Sequence, residues 1–373
     1  MNPSAELTNN GGAKPKALSL SSLSTSGFAD KVFQKLTAFF AFLILFLAVL
    51  TAFTLWQASA PTIQKMGWSF LTSTDWDPIQ GIFGSVPFVY GTILSSFLAL
   101  LIATPFGLGI SLFLTELAPM KFRDPVAFLV EILAAIPSVV YGLWGIFLLA
   151  PFMRVHVDPL LIKAGGTLVG LLTGITLIFL SSAVLGRFIK GIYGMVLSVV
   201  IGLIGGIWVG MMKMPFFQGP STGLSLFTAG VILSIMILPT ITAISREVFE
   251  AVPNSYRESA KALGATSWET ILLAVVKPSR VGLLGAIMLA LGRALGETMA
   301  VTMVIGNTPQ VSANLLAPAH SMASVIANEF SEATSDLHVS ALAEIGFLLM
   351  VITLVLNIVA HLLVWATATK FQK

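Results

Sequence analysis

The chain has 373 residues, of which 56% are hydrophobic and only 10% are charged. Soluble domains carry about 25% charged residues, so this composition excludes a water-soluble globular protein and predicts a multi-pass membrane protein. The formal net charge is +3. This surplus does not indicate a nucleic-acid partner, because the basic residues fall in short runs between apolar segments. The absence of cysteine excludes disulfides and thiolate metal sites.

Eight segments are long and apolar enough to cross a bilayer, which takes about 20 helical residues. They lie at about 36–56, 88–117, 126–151, 164–185, 191–212, 223–244, 281–305 and 339–366. Transmembrane strands alternate apolar and polar residues, whereas these segments are apolar on all sides. The sequence therefore predicts an all-α polytopic bundle with about eight transmembrane helices.

Lysine and arginine are unevenly distributed between the connecting segments. With the N-terminus placed inside, the outer segments hold only Lys65, Arg154, Lys163 and Lys213. The positive-inside rule then predicts that both termini are cytoplasmic. Residues 1–35 are rich in Ser, Asn, Gly and Pro, which is typical of a disordered tail; residues 36–369 form the predicted transmembrane domain.

The largest predicted inner loop, residues 245–280, contains two capping-box patterns. Ser255 is followed at the third position by Glu258, and Thr266 is followed by Glu269. In such a box the hydroxyl accepts a bond from the amide three residues on, and the carboxylate reaches back to the cap. The loop is therefore predicted to hold two short helices facing the cytoplasm.

The residues that bound these short helices resemble a known motif. Gly264 is placed to end the first helix, because glycine permits the left-handed turn, and Pro278 is placed to end the second. The residues Glu258, Ser259 and Ala260, followed by Gly264 and an apolar stretch up to Pro278, resemble the EAA motif of ABC importer permeases. In that family the motif forms a coupling helix on a cytoplasmic ATPase. Seen without this resemblance, the loop is a well-capped connector.

The chain itself shows no sign of an enzyme. It contains no G-x-x-x-x-G-K-[ST] pattern with which to hold nucleotide phosphates. Its histidines, His156, His320, His338 and His361, are scattered and lack metal-ligand spacing. We therefore expect no catalytic residue, metal or cofactor in this chain.

The apolar segment 281–305 carries two opposite charges, Arg293 and Glu297. Residues four apart share one helix face, and an unpaired charge at the bilayer centre costs at least about 2.5–3.5 kcal/mol. On a continuous helix, small residues lie on the same face, namely Gly282, Ala286, Gly296 and Ala300. One interpretation is an ion pair that fixes helix register. The other is that Arg293 attracts an anion in transit, held in place by Glu297.

Several motifs, in the same order, resemble the PstC family of permease subunits of bacterial phosphate ABC importers. They are GRALGETMAVTMVIGN (292–307), FGSVPFVYGTI (83–93), AAIPSVVYGLWG (134–145), AGVILSIMILPTI (229–241) and ANEFSEATSDLHVSAL (327–342). The resemblance extends from about residue 68 to about residue 367. It implies a MetI-like permease of the inner membrane with a six-span core, which the sequence places at 88–152 and 223–366. The segment of about 153–222 departs from the family and is predicted to be an inserted helix pair.

The resemblance also implies a function and partners. The chain would be the phosphate path of an ATP-driven importer, with Arg293 and Glu297 in the pathway. A second, similar permease subunit, a cytoplasmic ATPase dimer and a periplasmic phosphate-binding protein would complete the assembly. Glu258, Ser259, Ala260 and Gly264 would contact the ATPase. Two alternatives remain at this stage: a permease for another oxyanion such as sulfate or molybdate, and a membrane protein that senses phosphate for signalling.

Overall fold

The structure, a computed structural model, describes residues 26–163, 176–177, 198–205, 217 and 222–369. Its helices in chain order are α1 (Ser26–Met66), α2 (Ser69–Thr72), α3 (Val86–Leu112), α4 (Met120–Ala135), α5 (Ser138–Lys163), α6 (Leu226–Glu250), α7 (Asn254–Ala262), α8 (Ser267–Leu295), α9 (Met299–Val304), α10 (Met322–Glu329) and α11 (Asp336–Thr369). The short stretches 176–177 and 198–205 are also helical. Within these residues, α1, α3, α5, α6, α8 and α11 are long and apolar enough to cross a membrane. The predicted all-α polytopic fold is confirmed.

Two predicted spans, 164–185 and 191–212, lie mostly outside the described residues. The start of the predicted inserted segment, up to Lys163, continues α5. Of the predicted tail, residues 1–25 lie outside the described part, whereas α1 already begins at Ser26. Thus α1 starts ten residues before the predicted boundary, because Ser26 to Lys35 contain no proline and extend the apolar helix at its N-terminus.

The predicted single span 126–151 is wrong, because two helices stand in its place. Helix α4 ends at Ala135, Ile136 and Pro137 are extended with ψ of 127° and 141°, and α5 begins at Ser138. A proline disfavours helical geometry in the residue before it, and its own N–H is missing. Pro137 therefore breaks the chain where the hydropathy continues.

The second half of the loop 245–280 also differs from the prediction. Pro278 does not end a helix: α8 runs without interruption from Ser267 to Leu295. A π-helical turn, Ile271–Val276, stands directly before Lys277 and Pro278. The backbone hydrogen bonds shift to the π-helical pattern just before Pro278, which has no N–H to donate. The helix can therefore continue through the proline. The C-terminal end of α8 also differs from the prediction, since the helix ends at Leu295 and not near residue 305.

The core of residues 55–373 is built around α3 and α6, which share the most extensive helix–helix contact among the described elements. Glycines allow the close approach. A Cβ at Gly107 would lie 2.8 Å from Cγ2 of Ile241, and one at Gly230 would lie 2.9 Å from Cβ of Leu98. Small residues at helix interfaces commonly permit such packing in membranes. Residues 1–54 form a separate unit, in which the described side chains of α1 are nearly all exposed.

The segment between α9 and α11 covers the N-terminal end of α6. Backbone amides of Ser225, Leu226 and Phe227 donate to the carbonyls of residues 304, 317 and 315 at 2.9–3.1 Å. These bonds satisfy amides that have no partner within their own helix. The same segment contains α10, whose N-terminus is capped by the side chain of Ser321.

Candidate functional site

Arg293 lies in the last turn of α8, where a cation is favoured by the carbonyl end of the helix. Its side chain is exposed. Nη1 makes one long contact, 3.5 Å to Oγ1 of Thr240, which directly follows Pro239 on α6. A guanidinium has five N–H donors, so within the described part of the chain most donors of Arg293 have no partner.

Glu297 does not share a helix with Arg293, which corrects the predicted common face. The helix ends at Leu295, Gly296 follows, and α9 begins only at Met299. Oε1 of Glu297 accepts a bond from the amide of Ala300 at 3.2 Å, which satisfies a free N–H at the start of α9. Among the ion pairs of the described residues, none joins Arg293 to Glu297. The predicted intramembrane pair is therefore not formed.

Two sides of α8 meet at Arg293. On one side Ala286, Ala290 and Ala294 are buried in the core. On the other side, no described atom outside the helix lies within 4 Å of a Cβ placed at Gly285 or Gly292. The predicted face of small residues is not the open face of α8. Two of its members point toward the core, since Gly282 packs on Val248 and Ala286 is fully buried. The open face instead follows residues 285, 289, 292 and 296.

The break between α4 and α5 lies close to the break between α8 and α9. The buried Tyr141, one turn into α5, is within electrostatic reach of Arg293. Its hydroxyl donates to the carbonyl of Leu133 at 2.8 Å, across the break between α4 and α5. A Cβ at Gly142 would lie 3.3 Å from Cα of Ala300 in α9. Broken helices of this kind line substrate sites in many transporters, and Thr240 and Tyr141 belong to the surroundings of Arg293.

The coupling-loop residues are placed on the surface. Glu258 and Ser259 are exposed on α7, and Ala260 is half-buried. Gly264 has φ of +85° and ends the helix as predicted. Next to it, Leu263 is 90% exposed. The loop therefore presents both polar and apolar groups away from the bundle.

Only one of the two predicted capping boxes is formed. Thr266 accepts the amide of Glu269 at 3.3 Å, and the Glu269 carboxylate accepts the amide of Thr266 at 2.8 Å. The box predicted at Ser255 and Glu258 is wrong, because α7 already begins at Asn254, with Pro253 as its N-cap. Pro253 is still extended, with ψ of 140°, and Asn254 is the first helical residue, so Ser255 lies inside the helix.

An ion pair that the sequence reasoning did not find lies beside this loop. The guanidinium of Arg257 in α7 contacts the carboxylate of Glu116 with an Nη2–Oε1 distance of 2.7 Å. The two residues are 141 positions apart. The sequence gives no pattern that marks either residue as a partner of the other. Glu116 lies at the end of the apolar segment 88–117, and Arg257 is one of several basic residues in the loop.

At the opposite end of the bundle, Glu329 is engaged within the chain. Its Oε2 accepts a bond from Nε1 of Trp76 at 3.0 Å and contacts Nε2 of His338 at 2.9 Å. The contacts of Glu329 therefore join the segment before α3 to α10 and α11.

The comparisons with known proteins agree with this architecture. A family model for the binding-protein-dependent transport system inner membrane component matches residues 105–368. The chain is 41% identical over 332 residues to the phosphate transport system permease protein PstC of Mesorhizobium japonicum, with 89% of each chain covered. It is 40% identical to that of Haemophilus influenzae, covering 92% of this chain and 94% of the relative. It is 30% identical to a probable PstC of Methanocaldococcus jannaschii, covering 87% and 89%. The chain therefore belongs to the family of binding-protein-dependent transport system inner membrane components, and within it to the PstC-type permeases.

Proposed function

We propose that this chain is the membrane-spanning permease subunit of an ATP-driven importer that carries inorganic phosphate across the inner membrane. The observation that carries the proposal is the exposed Arg293 at a helix break, in a chain whose relatives are phosphate transport system permeases. Guanidinium donors match the oxygens of phosphate in pairs. Because Arg293 makes one long contact of 3.5 Å with the described residues, phosphate would meet N–H donors that these residues do not occupy.

The open face of α8 indicates where a second permease subunit would sit. An arginine facing lipid at the bilayer centre costs at least about 2.5–3.5 kcal/mol, so protein or a water-filled path must cover Arg293. Gly285 and Gly292 leave room for a helix to approach closely. Phosphate would then pass between the two subunits, along the edge where Arg293 lies.

Glu297 would tune this path without pairing to Arg293. Its carboxylate is held at the break by the amide of Ala300, and its negative charge repels an anion that approaches Arg293. A transport site must release its substrate as well as bind it. Glu297 would therefore limit the affinity and keep the helix break in place.

The coupling end would respond to a cytoplasmic ATPase dimer. Glu258, Ser259 and Ala260 on α7, with Gly264 at its end, would form the docking element, and ATP would be hydrolysed by those separate subunits. Helix α8 is continuous from Ser267 to Leu295, so a displacement at its start reaches Arg293 over about 40 Å of helix. A periplasmic phosphate-binding protein would deliver phosphate at the opposite end, with both termini of the chain in the cytoplasm.

Labelled-phosphate uptake in cells that carry Arg293→Gln tests the proposal. We expect uptake to fall at least about tenfold, equivalent to about 1.4 kcal/mol, while the subunits still assemble in the membrane. Arg246→Gln is the matched control, because Arg246 lies on the surface of α6 in a pair with Glu250. Normal uptake by an assembled Arg293→Gln complex would contradict the pathway role. Competition by sulfate or molybdate equal to that by phosphate would contradict the substrate.

A further inference from the structure

Arg257 makes the most extensively bonded side-chain ion pair of the described chain. Its Nη2 lies 2.7 Å from Oε1 of Glu116, and its Nε lies 3.1 Å and 3.3 Å from the two carboxylate oxygens. The side chains are only 17% and 12% exposed. Such a two-donor contact fixes both distance and orientation, so the pair holds α7 in one position relative to Glu116.

The same guanidinium also closes the end of α6. Nη1 donates to the carbonyl of Val252 at 2.6 Å, and Nη2 donates to that of Phe249 at 3.0 Å. Phe249 lies in the last turn of α6 and Val252 just beyond it, and an arginine near the carbonyl end of a helix is favoured by the helix dipole. Arg257 therefore joins three elements: α7, the end of α6 and the end of α3.

Glu116 stands where a carboxylate is unfavourable by itself. It belongs to a π-helical turn, Phe113–Leu117, at the C-terminal end of α3, where the helix dipole repels negative charge. Nη2 of Arg123 donates to the carbonyl of Thr115 in the same turn at 2.8 Å. Two arginines thus hold this turn, and Arg257 supplies the charge that Glu116 requires.

Neighbouring residues on α7 face in different directions. Arg257 is turned toward the bundle, whereas Glu258 and Ser259 are exposed. Helix α7 therefore presents Glu258 and Ser259 outward, while Arg257 on its inner side binds it to the ends of α3 and α6. These two helices form the main helix pair of the core. Helix α8 offers a second connection from the same loop to Arg293.

We infer that the Arg257–Glu116 pair is a positioning strut for transport, which transmits a displacement of α7 to α3 and α6. This inference rests on the proposed function, because it assumes that a separate ATPase moves α7. Without the strut, α7 would move while α3 stayed in place. ATP would then still be hydrolysed, but less phosphate would cross for each ATP.

The test measures phosphate transport and ATP hydrolysis in the same proteoliposomes. They contain this chain, the second permease subunit and the ATPases, with a phosphate-binding protein loaded with labelled phosphate outside. The variants are Glu116→Gln, which keeps the size and removes the charge, and Arg257→Lys, which keeps the charge and removes the paired donors. Arg246→Lys and Glu250→Gln are matched controls, because that pair spans one turn of α6 and is more exposed, at 26% and 45%.

We expect both strut variants to lower the phosphate transported per ATP at least about fivefold, the lower range of coupling between sites. The rate of ATP hydrolysis should stay within about twofold of wild type, which is below the range of coupling between sites. The control variants should keep the wild-type ratio of phosphate transported per ATP. An unchanged ratio in assembled strut variants would overturn the inference and leave the proposed function intact. A wild-type complex without ATP-driven phosphate uptake would instead overturn the proposed function.

A variant that fails to assemble would be replaced by Glu116→Asp. Aspartate keeps the charge and withdraws the carboxylate by one carbon–carbon bond, so the pair weakens without stranding Arg257. A lowered transport ratio in that assembled variant supports the strut, and an unchanged ratio contradicts it. A purely structural pair would lower the amount of assembled complex and leave the ratio constant.

Discussion

Glycines serve opposite purposes in two regions of this chain. At two glycines of α3 the chain's own atoms occupy the space of the missing side chain. A Cβ at Gly91 would overlap the carbonyl oxygen of His320, and one at Gly107 would lie 2.8 Å from Ile241. Along α8, Gly285 and Gly292 meet no described atom outside their helix within 4 Å. The first glycines serve the fold of this chain. The second leave an open surface beside the exposed arginine, where we propose that the second permease subunit packs.

The largest effect is expected at a closed glycine. Gly91→Ala places a methyl group against the backbone of His320, which cannot move aside like a flexible side chain. We expect a loss of about 3 kcal/mol in the free energy of unfolding, at the upper end of overpacking costs. Thermal unfolding of the purified chain in detergent measures it. Gly109→Ala is the control, since no described atom lies within 4 Å of its Cβ; equal destabilisation by both variants would contradict the contrast.

The pH dependence of stability tests whether the same closed region excludes water. Burial lowers the pKa of the His320 imidazole to about 4, whereas the unfolded chain binds this proton near the ordinary pKa of about 6.5. The stability contributed by neutral His320 is therefore complete above about pH 6.5 and decreases as the pH falls toward 4. At pH 5 we expect a loss of about 2 kcal/mol.

The measurement compares unfolding at pH 7 and pH 5 for the wild type and for His320→Gln. Glutamine has no proton to gain in this range, so the pH difference should shrink by the contribution of His320. The same pH difference in both proteins would mean that the histidine is accessible to protons in the folded chain.

The open glycines should behave differently from the closed ones. We expect Gly292→Leu to change the unfolding of the isolated chain little, because no described atom outside the helix lies within 4 Å of a Cβ at this position. Phosphate uptake should fall at least about tenfold, or about 1.4 kcal/mol, because leucine would keep a second subunit away from α8. Co-purification of the two permease subunits provides the direct measurement.

Gly109→Leu is the matched control for this experiment, since it adds the same side chain at another open glycine, on α3. It should leave both co-purification and uptake near wild type. Retention of the second subunit by Gly292→Leu would show that the open face of α8 is not the contact surface.

Hydropathy placed a predicted span on each of the six spanning helices that the structure describes, because length and apolar character alone decide whether a helix fits a bilayer, but the bounds it gave for α5 and α8 were wrong. It could not locate the breaks at Pro137 and Gly296, since the apolar run continues across both. The expected pairing of Arg293 with Glu297 assumed a continuous helix, and it failed for that reason. The exposed position of Arg293 at the edge of α8 was visible only once the buried alanines and the open glycines were placed in three dimensions.

The coupling loop illustrates a different limit. The sequence predicted the turn at Gly264 and the cap at Thr266, because these are local patterns with a direct backbone cause. The pair of Arg257 and Glu116 could not be predicted, since 141 residues separate its members and no local pattern links them. Interactions that join distant segments require the tertiary structure, and this pair is the one on which the proposed strut depends.

The smallest expected effect distinguishes the two capping patterns at this loop. Thr266→Ala removes a cap that is formed on both sides, which costs about 1 kcal/mol. Hydrogen exchange at the first turn of α8 should accelerate about fivefold, since local opening becomes easier by that amount. Ser255→Ala is the control, because Ser255 lies inside α7 and caps nothing. Hydrogen exchange at the first turn of α7 should therefore remain near wild type in this variant. Equal acceleration by both variants would mean that α7 begins at Ser255 in solution, and that the pattern predicted from sequence describes the loop better than the observed start at Asn254.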